Sequence, residues 1–295
     1  MEICRKIDIH AHAIPFAQYE FIKGIEATEE DLFRLYDTIG VDHGVLQPIV
    51  SPEGMTCVLS NGAICDMAHR HPERFYWFCG LDARMLPGTP ETDFSEMLNF
   101  YKSNGAKGVG ELTGNLYADD PRLDNLFYHC AECDMPVTIH IAPSLGGFYG
   151  IVDEIGLPRI TKMLKKYPKL KILGHSQPFW AEISDDCTAE NRFAYPQGSV
   201  REGNLARILR ECPNLYMDMS AFSCYNAMTR DPDYSYRFIE EFGDRMMYAI
   251  DYCNPTNRHI YNMAEWLDDS YRKGCISEKN YRGICRENAI RILKL

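Results

Sequence analysis

Eight short runs of strand-forming residues, each followed by a stretch of helical character, constrain this chain more than any other feature. The runs are KIDIHAH (6–12), HGVLQPIV (43–50), FYWFCGLD (75–82), KGVGEL (107–112), PVTIHI (136–141), LKILGHS (170–176), LYMDMSA (215–221) and RMMYAID (245–251). Most are rich in Val, Ile, Leu, Met or Tyr and do not alternate cleanly, as strands covered on both faces do not. Helical stretches fall at 28–36, 61–71, 93–103, 121–133, 157–167, 203–212, 234–242, 258–273 and 278–293. Thr28 is placed to cap the first of these, with Asp31 in the capping-box position. Eight strand–helix alternations in a chain of 295 residues predict an α/β fold, a (β/α)₈ TIM barrel forming a single domain over 1–295. The competing doubly wound sheet usually carries a glycine-rich phosphate turn after its first strand. Here the first strand ends in HAHAIP, which has no glycine.

The formal charge is −11 and no basic run is present, which argues against nucleic acid as a partner. No apolar run approaches the ~20 residues of a membrane-spanning helix. Residues 1–12 mix Glu2, Arg5, Lys6 and Asp8 among apolar neighbours, unlike a signal peptide. The expectation is a cytoplasmic protein acting on a small molecule, without membrane contact. In that setting the twelve cysteines read as free thiols. Cys130 and Cys133, spaced CxxC, read as part of a helix end and not as a redox turn. The segments 142–156 and 184–203 read as loops that follow strands.

Barrel enzymes place reactive side chains at the C-terminal ends of their strands. His10 and His12 end the first run, Glu111 the fourth, His140 the fifth, His175 the sixth and Asp251 the eighth. Four of the nine histidines thus fall at strand ends. His10 and His12 are two apart, so alternation puts both on one face. That face is the barrel interior if Ile7 and Ile9 pack outward. Imidazoles and carboxylates converging there suit a divalent transition metal. A buried polar cluster without metal would need many internal hydrogen-bond partners.

The run Asp8-Ile9-His10-Ala11-His12, with a histidine ending strand 5, another ending strand 6 and an aspartate ending strand 8, resembles the amidohydrolase superfamily. The text VLQPIV, HPERFYWFCGLD, MPVTIHI, KILGHS and ENAIRIL is similar to the amidohydrolase-related branch that includes aminocarboxymuconate-semialdehyde decarboxylase. The resemblance spans essentially the whole chain. It implies that His10, His12, His140 and Asp251 bind one divalent ion, most often zinc, with His175 as general acid or base. Asp251 would serve as both ligand and proton shuttle. Relatives in this branch are often homodimers. Glu111 departs from the carboxylated lysine of many binuclear members. It could be a metal ligand bridging a second ion, an orienting or substrate-contacting group, or a structural ion pair. With a second ion, His140 and His175 would both be ligands and Asp251 the base.

Weaker candidates for substrate contact are Trp180, Arg230, Asn226 and Tyr149, each on a segment after a strand. Arg230 could clamp a substrate carboxylate; a loop-anchoring ion pair is the plainer alternative. His43, His69, His71 and His129 read as structural, and His259 as a remote candidate for supporting the site. Four functions fit this pattern. The first is a metal-dependent hydrolase cleaving an amide, lactone or ester. The second is a metal-dependent decarboxylase of an aromatic or unsaturated acid, disfavoured because LQPIVSPEG carries no arginine. The others are a silent metal- or ligand-binding protein, and a nuclease, which the negative charge disfavours.

Overall fold

The computed structural model describes residues 2–15, 26–53, 58–256 and 262–295. Its strands are β1 (Lys6–Ala11), β2 (Val41–Leu46), β3 (Phe75–Trp77), β4 (Val109–Leu112), β5 (Val137–Ala142), β6 (Ile151–Val152), β7 (Ile172–His175), β8 (Leu215–Asp218) and β9 (Met246–Met247). Every ladder is parallel. One sheet runs β1-β2-β3 and the other β4-β5-β7-β8-β9, with β6 beside β5. Bridges Cys79↔Val109 and Ala11↔Tyr252 join the two sheets at both margins. The eight long-range neighbours therefore close into a (β/α)₈ barrel, because only closure pairs every edge.

Helices occupy the expected intervals. Thr28 caps Glu29–Ile39 through a reciprocal box with Asp31, and Gly40 ends that helix at φ 74°. Pro121–Glu132 ends at Cys133, and both CxxC cysteines are free. The stretch 278–293 is interrupted by a π turn at Gly283–Glu287. The segment read as a loop at 142–156 contains β6. Short helices at Gln177–Ala181 and Ala221–Thr229 had no clear periodic signal, being one or two turns long. Among the described residues no helix is long and apolar enough to cross a membrane.

Two apolar layers hold the barrel. The larger lies between the strands and the surrounding helices. The smaller gathers Ile7, Ile9, Val45, Leu173 and Met247 from four strands, and Phe78 just beyond β3, around Ala289, Ile292 and Leu293 of the last helix. This inner cluster overturns the simple picture of β1. Ile7 and Ile9 pack inward, while Lys6 reaches Asp268 and Asp8 accepts from the Tyr36 hydroxyl, both on surrounding helices. The β1–β2 register shifts between Asp8 and Ala11. Such an irregularity changes which side chains face in, so His10 and His12 also point inward, above the apolar floor.

Candidate metal centre

Seven polar side chains meet where strands run into their loops. β1 supplies His10, with His12 just beyond it, β4 Glu111, β5 His140, β7 His175 and β8 Asp218. Asp251 follows β9, its N–H bonded to the His10 carbonyl at 2.8 Å. All but Asp251 are buried, and its side chain is 22% exposed. It is the most solvent-exposed of the seven.

His10 and His12 aim their Nε2 atoms at one another across 2.9 Å. Their other ring nitrogens are engaged. His10 Nδ1 lies 2.6 Å from Asp218 Oδ2, and His12 Nδ1 donates to the Gln47 carbonyl at 2.8 Å. A carbonyl can only accept, so His12 keeps its lone pair at Nε2. A carboxylate behind one ring and a carbonyl behind the other is the support that metal-binding imidazoles use. Asp251 Oδ1 stands 3.8 and 3.6 Å from the two Nε2 atoms, and Glu111 Oε2 3.7 and 3.6 Å. A tetrahedral ion with ligand bonds of ~2.0–2.1 Å separates its ligands by ~3.4 Å. The donor types suit a divalent cation, with the carboxylate oxygens near that spacing and the two imidazole nitrogens, 2.9 Å apart, closer than it.

The remaining oxygens face the other way. Glu111 Oε1 is 2.7 Å from His140 Nδ1 and 3.7 Å from His175 Nε2, while Asp251 Oδ2 is 3.5 Å from His175 Nε2. Ser220 Oγ holds His175 Nδ1 at 2.7 Å. Three candidate donor groups lie among the described residues, His10/His12/Asp251, Glu111/His140/His175 and His10/His175/Asp218, each with ligand atoms within 4.8 Å of one another; Glu111 and Asp251 bear on the first two.

Several backbone features serve this layout. A Cβ at Gly110 would lie 2.7 Å from Gln47 Oε1, and one at Gly150 2.8 Å from His140. Only glycine lets the chain pass so close at those points. Ser176, Ala221 and Asp251 have φ of 102°, 60° and 58°; Asp251 belongs to the site, Ser176 follows His175, and Ala221 follows Ser220, the partner of His175. Non-glycine residues held there cost free energy and cluster at functional sites.

A family model described as amidohydrolase matches residues 7–295. The chain belongs to the amidohydrolase family. As a member it is an enzyme of the amidohydrolase superfamily, whose members bind divalent metals. Solved structures sharing the fold include an uncharacterised TIM-barrel protein of Bordetella bronchiseptica, at 18% identity and TM-score 0.68, covering 98% of each chain. Another is 2,6-dihydroxybenzoate decarboxylase from Rhizobium, at 16% identity and TM-score 0.59, again covering 98% of each chain. A third is a probable 2-pyrone-4,6-dicarboxylic acid hydrolase of Acinetobacter baumannii, at 15% identity and TM-score 0.57, covering 99% of this chain and 100% of that one. No curated protein sequence matches closely enough to add a relative.

The charges of this amidohydrolase centre follow from its contacts. Burial opposes ionisation throughout, yet neighbouring imidazoles hold Glu111, Asp218 and Asp251 below the usual carboxylate range. Burial likewise opposes a charged His10, but Asp218 and Asp251 raise it well above the ordinary imidazole value. His175 is raised despite burial, through Asp251 and Asp218, whereas burial keeps His140 low.

Of the weaker candidates, Tyr149 packs its ring on His140, 4.4 Å between centroids, and stays 41% exposed. The other three make contacts elsewhere. Trp180 is buried and donates to the Asp218 carbonyl, so it positions β8. Arg230 is held by Asp186 and the carbonyls of Gly198 and Ser199. Asn226 bonds Gln197 and the Pro196 carbonyl. Both pin the 184–203 segment. His69, His71 and His129 bond or face Asn104, Glu29 and Asp93 on the periphery, and His43 stacks on Tyr76. His259 lies outside the described residues.

Sequence reasoning passed over Asp218 and Gln47. Asp218 stands at a strand end, in LYMDMSA, so the rule that singled out the histidines also covered it. Gln47 acts through its backbone carbonyl, which no residue type advertises.

Proposed function

We propose that this amidohydrolase is a metal-dependent hydrolase of a small molecule, with an amide, lactone or ester as the bond cleaved. The observation that carries the reading is the division of Glu111 and Asp251 between two imidazole groups. That division favours two divalent cations, with zinc suited to imidazole and carboxylate donors. His10, His12, Asp251 and Glu111 would hold one, and Glu111, His140 and His175 the other. When bound, such ions supply Lewis acidity and make water a nucleophile near neutral pH.

The chain's own groups account for the remaining chemistry. Asp218 orients His10, Gln47 orients His12 and Ser220 orients His175, so the rings need no rearrangement when substrate enters. Asp251 is the exposed carboxylate and is held in its basic form. It takes the proton from water at Oδ2 and returns it to the leaving group. In a centre with a single cation, His175 Nε2, 3.5 Å from that oxygen, takes this role instead. Tyr149 covers the His140 side and limits what can approach.

The second reading is decarboxylation, because the fold's neighbours include a decarboxylase as well as a hydrolase. It needs a cation for the substrate carboxylate, and Arg230 is engaged elsewhere. The test is purified protein loaded with zinc, assayed in parallel for acid release from esters, lactones and amides and for carbon dioxide release from aromatic acids. Carbon dioxide without hydrolysis would reverse the choice. Metal analysis giving no more than one ion per chain at saturation would remove the second site.

A further inference from the structure

A cavity of about 250 Å³ lies at the end of the barrel opposite the metal centre. Lys107, Pro136 and Lys171 line it, and they stand just before β4, β5 and β7. Glu111, His140 and His175 belong to the far parts of the same strands. The carbonyl end of the last helix, at Ile292 and the cap residue Lys294, closes one side. With Lys102, four lysines surround this cavity. Among its lining residues Asp134 is the one carboxylate, and it pairs with Lys294.

The ammonium groups are fixed in place yet open to a ligand. Lys107 Nζ donates to the Lys294 carbonyl at 3.1 Å, Lys171 Nζ to the Ile292 carbonyl at 3.0 Å and Lys102 Nζ to the Cys133 carbonyl at 2.6 Å. The Lys102 and Lys107 bonds lie at solvent-exposed positions, the Lys171 bond is partly buried, and the Lys294 side chain is 66% exposed. An ammonium has three N–H donors, and each of these bonds uses one. The three carbonyls belong to the ends of two helices, which explains where the lysines stand. It does not balance their charge. Four ammonium groups against one carboxylate leave three positive charges, and two helix ends offset about one of them. Burial holds the Lys171 ammonium below the usual lysine range, Asp134 opposing and Lys294 and Arg291 adding to the shift. This concentration of positive charge stands in a chain whose formal charge is −11.

We infer that this cavity binds a phosphate group, free or carried by a small monoester, between the ammonium groups of Lys102, Lys107 and Lys171. A phosphate monoester carries ~1.5–2 negative charges at neutral pH and three acceptor oxygens, which matches the remaining charge and the spare donors. Lysine binds phosphate as a point charge, so the site requires no planar fork. It is independent of the hydrolase reading.

The probes are inorganic phosphate and glycerol 3-phosphate, with acetate as a singly charged comparator. Binding to the metal-loaded protein is measured by calorimetry and phosphorus NMR at fixed ionic strength. At least one phosphate probe should bind ten times more tightly than acetate, and the tighter of the two identifies the free ion or the monoester as the source. Lys171→Gln should weaken that probe at least tenfold. Lys102→Glu reverses a charge on an exposed side chain whose replacement does not threaten folding, and it should weaken the probe comparably. This variant decides the matter if Lys171→Gln fails to fold. Lys162→Gln, at an exposed lysine paired with Asp119 outside the cavity, should leave binding unchanged. The inference falls if neither phosphate probe binds, if acetate binds as well, if Lys102→Glu has no effect, or if Lys162→Gln weakens binding as much. It also falls if binding survives Lys102→Glu and is lost in His12→Ala, which would assign the phosphate to the metal centre.

Discussion

Replacing Asp218 by Asn removes one negative charge from a pair in which both side chains are fully buried and the separation is 2.6 Å. The amide can still accept from Ser220 N, as the carboxylate does at 2.9 Å, and the Trp180 indole bonds to the backbone carbonyl. The local fold should therefore survive. The His10 ring, however, loses the anion that raises its basicity and fixes its tautomer. Losing such an outer partner typically weakens metal binding or activity ~10–100-fold, equivalent to ~1.4–2.7 kcal/mol. Zinc affinity is read by titration against a chromophoric chelator, with thermal denaturation of the metal-free protein as the folding control. A change under ~2-fold in a well-folded Asp218→Asn protein, against the ~10-fold minimum expected, would refute the claim that this carboxylate supports a ligand.

Other outcomes follow from the same contacts. Glu111→Gln should lower the bound metal by one ion per chain at saturation, measured by elemental analysis, because the remaining single-ended contacts no longer join both donor groups. His175→Asn should leave the His10/His12 ion bound and lower turnover by ~10²-fold or more; full activity would show that His175 is dispensable. Thr28→Ala should cost ~1 kcal/mol through loss of the helix cap, checked by urea denaturation. Asp31 is held below the usual carboxylate value, its partial burial outweighed by the Thr28 and Arg34 contacts. A depressed folded-state value means its stabilisation is present above ~pH 4 and lost as pH falls through the folded-state value. The gap in melting temperature between the native chain and Asp31→Asn should accordingly shrink on acidification. Chelator treatment should lower the melting temperature, since a ligand bound only by the native state stabilises it.

The sequence by itself determined the layering. Strand-forming runs and amphipathic helices alternate because local backbone preference and burial periodicity are encoded residue by residue, and the Thr28–Asp31 cap was legible for the same reason. It also determined which residues stand at strand ends, hence the convergence of His10, His12, Glu111, His140, His175 and Asp251. Tertiary structure decided what those residues do to one another. Simple alternation would send Ile7 and Ile9 outward, and only the register shift against β2 puts them and the two histidines on the same side. The partners Asp218 and Gln47 lie 208 and 35 residues from the rings they orient. The loops that bury Trp180 and engage Arg230 and Asn226 are likewise set by distant contacts. Those choices rest on which surfaces meet when the cylinder closes, a property of the whole chain that no local window contains.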